Sequence, residues 1–256
     1  MAQIIKPNQL DVSKITYSEP KAMGTSGAKT LYINYGGQDK DSLIVIHTPK
    51  MKMPYGASVF TEPGKNPKYT LDLSFGDHEN NEKLKQFYEA ITNIEEKLIG
   101  DAKKNSLAWF KKKTMSEDVI RTIFTSSIKR SKDKDTGEVN NKYPPTLKVK
   151  INYWDDEFKC SVWDHTRKKL EGDITQNLTK GQSVTAIVKC SGVWLSGGKF
   201  GITWQIQQKQ RGRVSLSLPA PPSKPPGSKV PAGCRPTAAR DSVAPEGSVA
   251  PAACVA

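Results

Sequence analysis

The sequence has no apolar run long enough to cross a membrane and no apolar leader. No window of roughly 18 or more apolar residues occurs along its 256 residues. The first ten residues, MAQIIKPNQL, lack the continuous apolar stretch of a secretory signal peptide. We therefore expect no membrane partner and a soluble protein that is made and kept inside a cell.

Cysteine is scarce and poorly spaced for metal or disulfide chemistry. The chain has four cysteines, none in a CxxC pair and none near a histidine at a spacing typical of zinc ligands: Cys160, Cys190, Cys234 and Cys254. We predict free thiols, no metal site and no cofactor.

Motifs of the common catalytic classes are absent as well. The sequence contains no GxSxG, no phosphate-binding P-loop, no HExxH and no GxGxxG after a strand. None of its three histidines has a neighbour that suggests acid–base or nucleophilic chemistry. We expect no catalytic residues and no enzyme.

The sequence does have a large excess of positive charge. It holds 39 Lys and Arg against 26 Asp and Glu, a formal net charge of +13. Such an excess favours a polyanionic partner. No stretch has the pattern of a strongly amphipathic basic helix that would lie on a lipid surface, so nucleic acid is favoured over a membrane.

Composition divides the chain near residue 210. The segment after residue 210 is rich in Pro, Ala, Ser and Gly and has no aromatic residue, so burial cannot offset its ordering entropy. We predict an N-terminal arm over residues 1–11, one domain over 12–210 and a disordered Pro/Ala-rich tail over 211–256. Only six basic and two acidic residues lie in the tail, so most of the positive excess belongs to the domain.

Hydrophobic patterning within the domain predicts strands, then helices, then strands. Alternating or β-rich runs occupy six segments before the final hairpin: 29–35, 42–47, 68–76, 147–154, 158–164 and 183–190. The first two segments flank GGQDKD, a hairpin-like turn. This order predicts a mainly β protein (α+β), an OB-like antiparallel β-barrel with a helical insertion over about residues 77–130.

The insertion carries two predicted helices. Apolar residues recur at three- and four-residue steps from a cap at Asp77 until Gly100 ends the run. A second, shorter helix begins at a Ser116 cap and buries Val119, Ile120 and Ile123.

The segment SGVWLSGGKFGITWQIQQ, residues 191–208, contains two tryptophans for which a hairpin predicts opposite faces. A two-residue turn at Gly197–Gly198 pairs Leu195 with Phe200 and Trp194 with Gly201, because loop length sets hairpin register. Trp204 then points into the core and Trp194 outward. A bulge at Ser191–Gly192 reconciles this register with the preceding strand. In a purely structural alternative, the Trp194 indole lies flat over the bare backbone of Gly201.

Three strands each place a tryptophan on an otherwise polar face: Trp154, Trp163 and Trp194. Four lysines accompany them: Lys148, Lys150, Lys159 and Lys199. Aromatic rings stack on unpaired bases at roughly 1–3 kcal/mol each, and lysines follow the phosphates. Because a duplex hides the base faces, the pattern predicts a surface for single strands. In the alternative arrangement, this face packs under the helices and meets Trp109 and Phe110.

Two further basic stretches are candidate phosphate clamps. The first, LAWFKKK, carries Trp109 with Lys111, Lys112 and Lys113. The second, SSIKRSK, carries Lys129 and Arg130. Both are counted among the predicted nucleic-acid-binding residues.

Three strings in this order, WFKKKTMSEDVI, KYPPTLKVKINYWDDEFKCSVWD and GVWLSGGKFGITWQIQQ, resemble a known family. Over about residues 12–210 the chain is similar to the single-stranded DNA-binding proteins proposed for large nucleo-cytoplasmic DNA viruses of algae and protists. Those proteins are distantly similar to the OB-fold single-stranded DNA-binding proteins of short-tailed coliphages. The resemblance implies an OB barrel with inserted helices that coats displaced strands during viral DNA replication and recombination.

The resemblance implies single-stranded DNA as the partner, viral replication proteins as further candidates, and a replication compartment in the nucleus or cytoplasm of the host. Proteins of this type commonly end in an acidic tail that recruits the polymerase, whereas this chain ends in APAACVA. Two alternatives stay open, a structural or virion-associated basic β-protein and an RNA-binding OB module. A homodimer and a monomer are both compatible with the sequence.

Overall fold

The computed structural model of the protein describes residues 4–24, 27–37, 43–207 and 216–218. This part of the chain is mainly β with a few helices. No helix within it is long and apolar enough to span a membrane. Except for residues 216–218, the predicted tail over 211–256 lies outside the described residues, as do Cys234 and Cys254.

Strands dominate the N-terminal third. They are β1 (Ile4–Ile5), β2 (Ile15–Tyr17), β3 (Lys21–Ala22), β4 (Lys29–Leu31), β5 (Ile33–Tyr35), β6 (Val45–His47), β7 (Met51–Lys52), β8 (Ala57–Phe60) and β9 (Lys68–Ser74). Two 3-10 turns, Pro7–Gln9 and Val12–Lys14, lie between β1 and β2.

Three helices follow, and then the chain returns to strands. The helices are α1 (Glu82–Lys104), α2 (Ser106–Phe110) and α3 (Glu117–Ile123). The next elements are β10 (Phe124–Thr125), β11 (Ile128–Lys129), β12 (Thr146–Ile151), β13 (Tyr153–Trp154), β14 (Glu157–Phe158), β15 (Val162–Trp163) and β16 (Lys169–Leu170). The last are α4 (Ile174–Asn177), β17 (Ser183–Ser196), β18 (Lys199–Ile206) and β19 (Leu216–Ser217).

Five strands pair in a ring. β18 pairs with β12, β12 with β9, β9 with β7, β7 with β17, and β17 pairs again with β18. The expectation of a wholly antiparallel arrangement is wrong, because strand directions cannot alternate around an odd number of strands, and β12 and β18 pair in parallel. Side chains alternate between the two faces of each strand. The inward side chains include fully buried apolar residues from four of the strands: Leu71, Leu73, Val149, Val193 and Trp204. The outward side chains of the same strands are mostly polar, and we refer to them as the outer face.

β17 pairs with several strands because it is 14 residues long. Along its length it meets β7, β19, β6 and β4 in turn. The predicted hairpin between segments 29–35 and 42–47 is therefore wrong. β4 and β6 both pair with β17, on either side of its irregularity at Gly192, and β5 pairs with β2.

Helix α1 differs from the prediction at both ends. Its N-cap is Asn81, whose side-chain oxygen accepts a 3.2 Å hydrogen bond from the Leu84 N–H, and Asp77 lies four residues earlier. The helix continues through Gly100 to Lys104, because Ile99 and Ala102 are buried against the core. This packing outweighs the roughly 1 kcal/mol that glycine costs inside a helix.

Helix α3 begins as predicted. The Ser116 hydroxyl accepts a 3.4 Å hydrogen bond from the Val119 N–H. Of the three side chains predicted to be buried, Ile120 is fully buried and Ile123 half-buried, whereas Val119 is 44% exposed. Over its seven residues, about two turns, α3 buries only Ile120 completely.

Candidate nucleic-acid interface

The hairpin that joins β17 and β18 has the predicted register. Leu195 pairs with Phe200 and Trp194 with Gly201, around the turn at Gly197–Gly198. The predicted bulge is also confirmed, since the pairing shifts between Cys190 and Gly192. Gly192 has a φ of 137°, and a Cβ at this position would collide with the carbonyl oxygen of Leu31 on β4. A residue without a side chain is therefore required where β4 and β17 come together.

The two tryptophans of the hairpin lie on opposite faces. Trp204 is 1% exposed, and its indole N–H donates a 3.2 Å hydrogen bond to the Ser127 hydroxyl. Trp194 is half-buried on the outer face. Its ring lies against Gly201, where an added Cβ would be 3.0 Å from Cζ2 of the indole. The contact between the indole and the Gly201 backbone, expected in the purely structural alternative, is thus confirmed. The same ring also lines an open groove.

This groove of about 550 Å³ lies on the outer face of the strand ring. Cross-strand pairs bring its residues together: Thr30 with Trp194, Lys150 with Gln205, and Lys150 with Thr70. We call it the outer groove. Four of the predicted binding residues line it, namely Trp194, Lys129, Lys148 and Lys150.

Tyr32 also lines the outer groove, and it was not among the residues predicted from the sequence. Tyr32 is 45% exposed, and the ammonium group of Lys21 lies 5.5 Å from its ring centroid. Its backbone N–H donates to the Ser18 hydroxyl at 2.9 Å, and its carbonyl accepts from the Ser18 N–H at 3.0 Å. Its neighbours Leu31 and Ile33 are fully buried. The alternation of KTLYINY could have identified Tyr32 as an outward aromatic residue.

The lysines of the outer groove lie close to one another and to other cations. Burial and, secondarily, the charge of Lys68 lower the pKa of Lys150. Burial and the neighbouring Lys148 lower the pKa of Lys129. Like charges held close together favour an anionic ligand that would compensate them.

One carboxylate, that of Asp72, lies beside these lysines. Its Oδ2 is 3.9 Å from Nζ of Lys148, the residue that pairs with it across β9 and β12. Asp72 is 8% exposed, and its Oδ1 has no hydrogen-bond partner among the described residues. A single carboxylate does not balance three ammonium groups, so the groove keeps a positive excess.

One wall of the groove is fixed from beneath by Glu95 of α1. This buried carboxylate accepts hydrogen bonds from the Ser126 hydroxyl at 2.7 Å, the Ser127 hydroxyl at 2.6 Å and the Ser127 N–H at 2.6 Å. Lys129 follows two residues later on β11 and pairs there with Thr146 of β12. The helical insertion thus positions a segment of the outer groove.

The structure does not bring the other two predicted tryptophans to Trp194. β12 ends at Ile151, and Trp154 lies on the separate β13–β14 hairpin. Trp163 is half-buried on β15, which pairs with β16 and β19 instead of β12. The expectation that the three tryptophans lie on neighbouring strands is therefore wrong. Of the three, only Trp194 lies on a strand of the five-strand ring, because β12 ends before Trp154 and β15, with Trp163, does not pair with β12.

Lys159 also lies elsewhere and is neutralised locally. Its Nζ is 5.6 Å from the ring centroid of Trp154, 2.9 Å from Glu157 and 3.9 Å from Asp155. Trp154 is 38% exposed. With two carboxylates beside it, Lys159 contributes little positive field for a phosphate.

The LAWFKKK stretch forms part of a different surface. Trp109 is 5% exposed and packs edge-on against Tyr17, with ring centroids 5.1 Å apart. Phe110 packs against Phe200 at 5.2 Å. Trp109 therefore has no open face for a base, which corrects its assignment as a binding residue. The alternative that Trp109 and Phe110 cover the outer face is also wrong, since both rings join the core.

The remaining predicted cations lie away from the outer groove. Lys111, Lys112 and Lys199 line a groove of about 270 Å³ beside the Gly197–Gly198 turn, and Lys113 is exposed after them. Arg130 donates a 2.8 Å hydrogen bond to the Tyr88 hydroxyl and lines a third groove. Lys111, Lys112 and Lys199 therefore form a further basic surface, whereas Asp77 and Glu79 line the groove beside Arg130.

The described residues contain no group of acidic, histidine or cysteine side chains that could hold a metal ion. Cys160 and Cys190 are free and buried, as predicted, and burial raises the pKa of each thiol to about 12. Neither thiol is therefore placed for nucleophilic chemistry.

Comparisons with known proteins give a family match and several structural similarities. Residues 72–220 match the model of DUF5871, described as a family of unknown function. No curated protein sequence matches the chain.

The fold is similar to the single-stranded DNA-binding protein from bacteriophage Enc34, solved in complex with ssDNA. The TM-score is 0.42 at 13% identity, over 82% of this chain and 98% of that one. It is also similar to gp2.5, a single-stranded DNA-binding protein encoded by bacteriophage T7. There the TM-score is 0.37 at 14% identity, over 73% of this chain and 91% of that one.

Proposed function

The chain belongs to DUF5871, a family of unknown function, and we propose that it binds single-stranded DNA in the outer groove. One observation carries this proposal. Trp194 and Tyr32 line the same groove as Lys129, Lys148 and Lys150. Rings that stack on bases and ammonium groups that follow phosphates are the two parts of a single-strand binding surface.

The composition of the groove supports binding that depends little on base sequence. Every base has a flat face, so stacking on Trp194 or Tyr32 accepts all four bases. In a duplex these faces are covered by neighbouring base pairs, so the rings add affinity only for unpaired strands. Lysine contributes point charges without the planar fork by which arginine reads guanine.

We propose further that the ring of five strands is an OB-like barrel. The closed cycle of pairings and the inward apolar side chains support this architecture. In this view the helices α1 to α3 form an insertion between the N-terminal and C-terminal strands.

The biological role that we propose is non-enzymatic coating of displaced strands in viral DNA replication and recombination, inside the host cell. The sequence resemblance to viral single-stranded DNA-binding proteins supports this role. Viral replication proteins are the proposed further partners. Assembly as a homodimer would let two outer grooves engage one strand.

The test is intrinsic tryptophan fluorescence of the full chain, titrated with oligo-dT, a matched duplex and oligo-U at several salt concentrations. We expect quenching by oligo-dT at much lower concentration than by the duplex, with weaker binding at higher salt. The quenching should be lost in Trp194→Phe, which keeps an aromatic ring but removes the reporter.

Other outcomes separate the alternative functions. Equal binding of single strands and duplex without quenching would overturn the proposal in favour of a basic structural protein. Quenching by oligo-U at lower concentration than by oligo-dT would favour an RNA-binding module.

A further inference from the structure

The outer face continues beyond the outer groove to an exposed aromatic residue on β8. We propose that Phe60 stacks on an additional base of the same bound strand, so that the interface extends across β9 to β8. This inference rests on the proposed function and adds a second stacking site to it.

The strand registers place Phe60 on the required face. Gln205 of β18 pairs with Lys150 of β12, Lys150 with Thr70 of β9, and Thr70 with Ser58 of β8. This row of residues crosses the outer face from the groove to β8. Phe60 lies two residues beyond Ser58, so its side chain lies on the same face.

Phe60 is open to a ligand. It is 59% exposed, and its cross-strand partner Lys68 places Nζ 5.8 Å from the ring centroid. The charge of Lys68 also acts on Lys150, whose pKa it helps to lower. Positive charge is therefore continuous from the outer groove to Phe60, as a phosphate backbone that crosses the sheet requires.

One carboxylate competes for this charge. Glu62 lies 3.5 Å from Nζ of Lys68 and 2.6 Å from Nζ of Lys65. All three side chains are largely or partly exposed, so a phosphate can replace the carboxylate beside Lys68 at small cost. Removal of the Glu62 charge should then strengthen binding at this end.

The distance between the two ends sets the length of DNA involved. Four strand spacings separate β17, with Trp194, from β8, with Phe60, which is about 19 Å at about 4.8 Å per spacing. Trp194 pairs with Gly201, four residues from Gln205, and Phe60 lies two residues beyond Ser58 in the same direction. This offset of six residues adds about 20 Å along the strands at about 3.3 Å per residue, so the two rings are about 28 Å apart. A stacked strand that advances about 3.4 Å per nucleotide covers this distance with about eight nucleotides. An oligonucleotide of four residues held at Trp194 therefore does not reach Phe60, whereas one of twelve does.

The experiment compares full-chain Phe60→Ala and wild type by fluorescence anisotropy with labelled dT4 and dT12. We expect Phe60→Ala to weaken dT12 binding by about 5- to 150-fold, the range for loss of one stacked base, and to leave dT4 binding unchanged. Phe60→Trp should restore dT12 binding. Glu62→Gln should tighten dT12 binding and not dT4 binding.

Val59→Ala is the matched control. Val59 is 55% exposed and adjacent to Phe60, but it lies on the other face of β8 and pairs with Tyr69. Equal dT12 affinities of Phe60→Ala, Val59→Ala and wild type would overturn the inference and leave the proposed function intact. An equal loss of affinity for dT4 and dT12 in Phe60→Ala would also overturn the inference. A wild-type protein without preference for dT12 over duplex would instead contradict the proposed function itself.

Discussion

The carboxylate of Glu95 accepts a 2.6 Å hydrogen bond from the backbone N–H of Ser127. This contact joins the helical insertion to the wall of the outer groove. The Ser127 hydroxyl in turn accepts from the indole of Trp204, so the same connection reaches the core of the hairpin. Stability and binding are therefore expected to depend together on a residue that touches no ligand.

Replacement of Glu95 by alanine tests this connection. Glu95→Ala removes the acceptor of three hydrogen bonds, and we expect the free energy of unfolding to fall by about 3 kcal/mol. Urea denaturation measures this change. Glu96→Ala is the control, because Glu96 forms an exposed ion pair with Arg121 at 2.7 Å, whose loss should cost less than about 1 kcal/mol. Similar costs for both variants would show that the Glu95 contacts do not support the wall.

Removal of the Trp194 ring should reduce DNA affinity and largely spare folding. We expect Trp194→Ala to weaken oligo-dT binding by about 1–3 kcal/mol, the range for one stacking ring, with a small change in melting temperature because the ring is only half-buried. Trp154→Ala removes an equally large ring outside the groove and should leave affinity unchanged. A large fall in melting temperature with unchanged affinity would place Trp194 in the core instead.

The salt dependence of binding should identify the lysines that contact phosphates. The double variant Lys148→Gln, Lys150→Gln should reduce the slope of log affinity against log salt by about 1.4, at about 0.7 for each single-strand phosphate contact. Lys159→Gln provides the comparison, since Lys159 is already paired with Glu157. An unchanged slope in the double variant would remove both lysines from the site.

The affinity for DNA should also begin to fall at a lower pH than it would if the lysines had their ordinary pKa. The pKa values of Lys129 and Lys150 lie below the ordinary 10.5 in the free protein, mainly through burial, and a bound phosphate would raise them again. Below the lowered pKa values both states are protonated and affinity is constant. As pH rises through the lowered values, only the bound state keeps its protons, so binding weakens and takes up protons.

This pH dependence can be measured with oligo-dA at constant ionic strength from about pH 7.5 to pH 10.5, the upper limit being near the ordinary lysine pKa. Oligo-dA is chosen because adenine loses no proton in this range. The double variant Lys129→Gln, Lys150→Gln should show a flatter profile than wild type. Identical profiles would mean that these two ammonium groups do not face the DNA.

Local rules were sufficient to predict the hairpin from the sequence. A two-residue glycine turn fixes its register, and the apolar alternation of β18 fixes which face is buried, so Trp194 and Trp204 were assigned to the correct faces. The same alternation would have found Tyr32. These features depend on residues close together in the chain.

Pairings between distant segments could not be predicted in this way. The place of Trp163 depends on β15 pairing with β16 and β19, and nothing in its own sequence specifies those partners. The burial of Trp109 depends on Tyr17, more than ninety positions away. Whether an aromatic residue faces solvent or a neighbour is decided by such tertiary contacts, which outweigh local pattern.

The bulge at Gly192 makes chain length, and not only side-chain chemistry, a determinant of the outer groove. Before it, the even-numbered residues Val184, Ala186 and Val188 point inward, and after it the odd-numbered Val193 and Leu195 do so. Loss or gain of one residue there would exchange the two sides of the hairpin and move Trp194 inward. A change of two residues would preserve both sides. We therefore expect a one-residue insertion or deletion at this point to disrupt the outer groove, a constraint on chain length that no single substitution reveals.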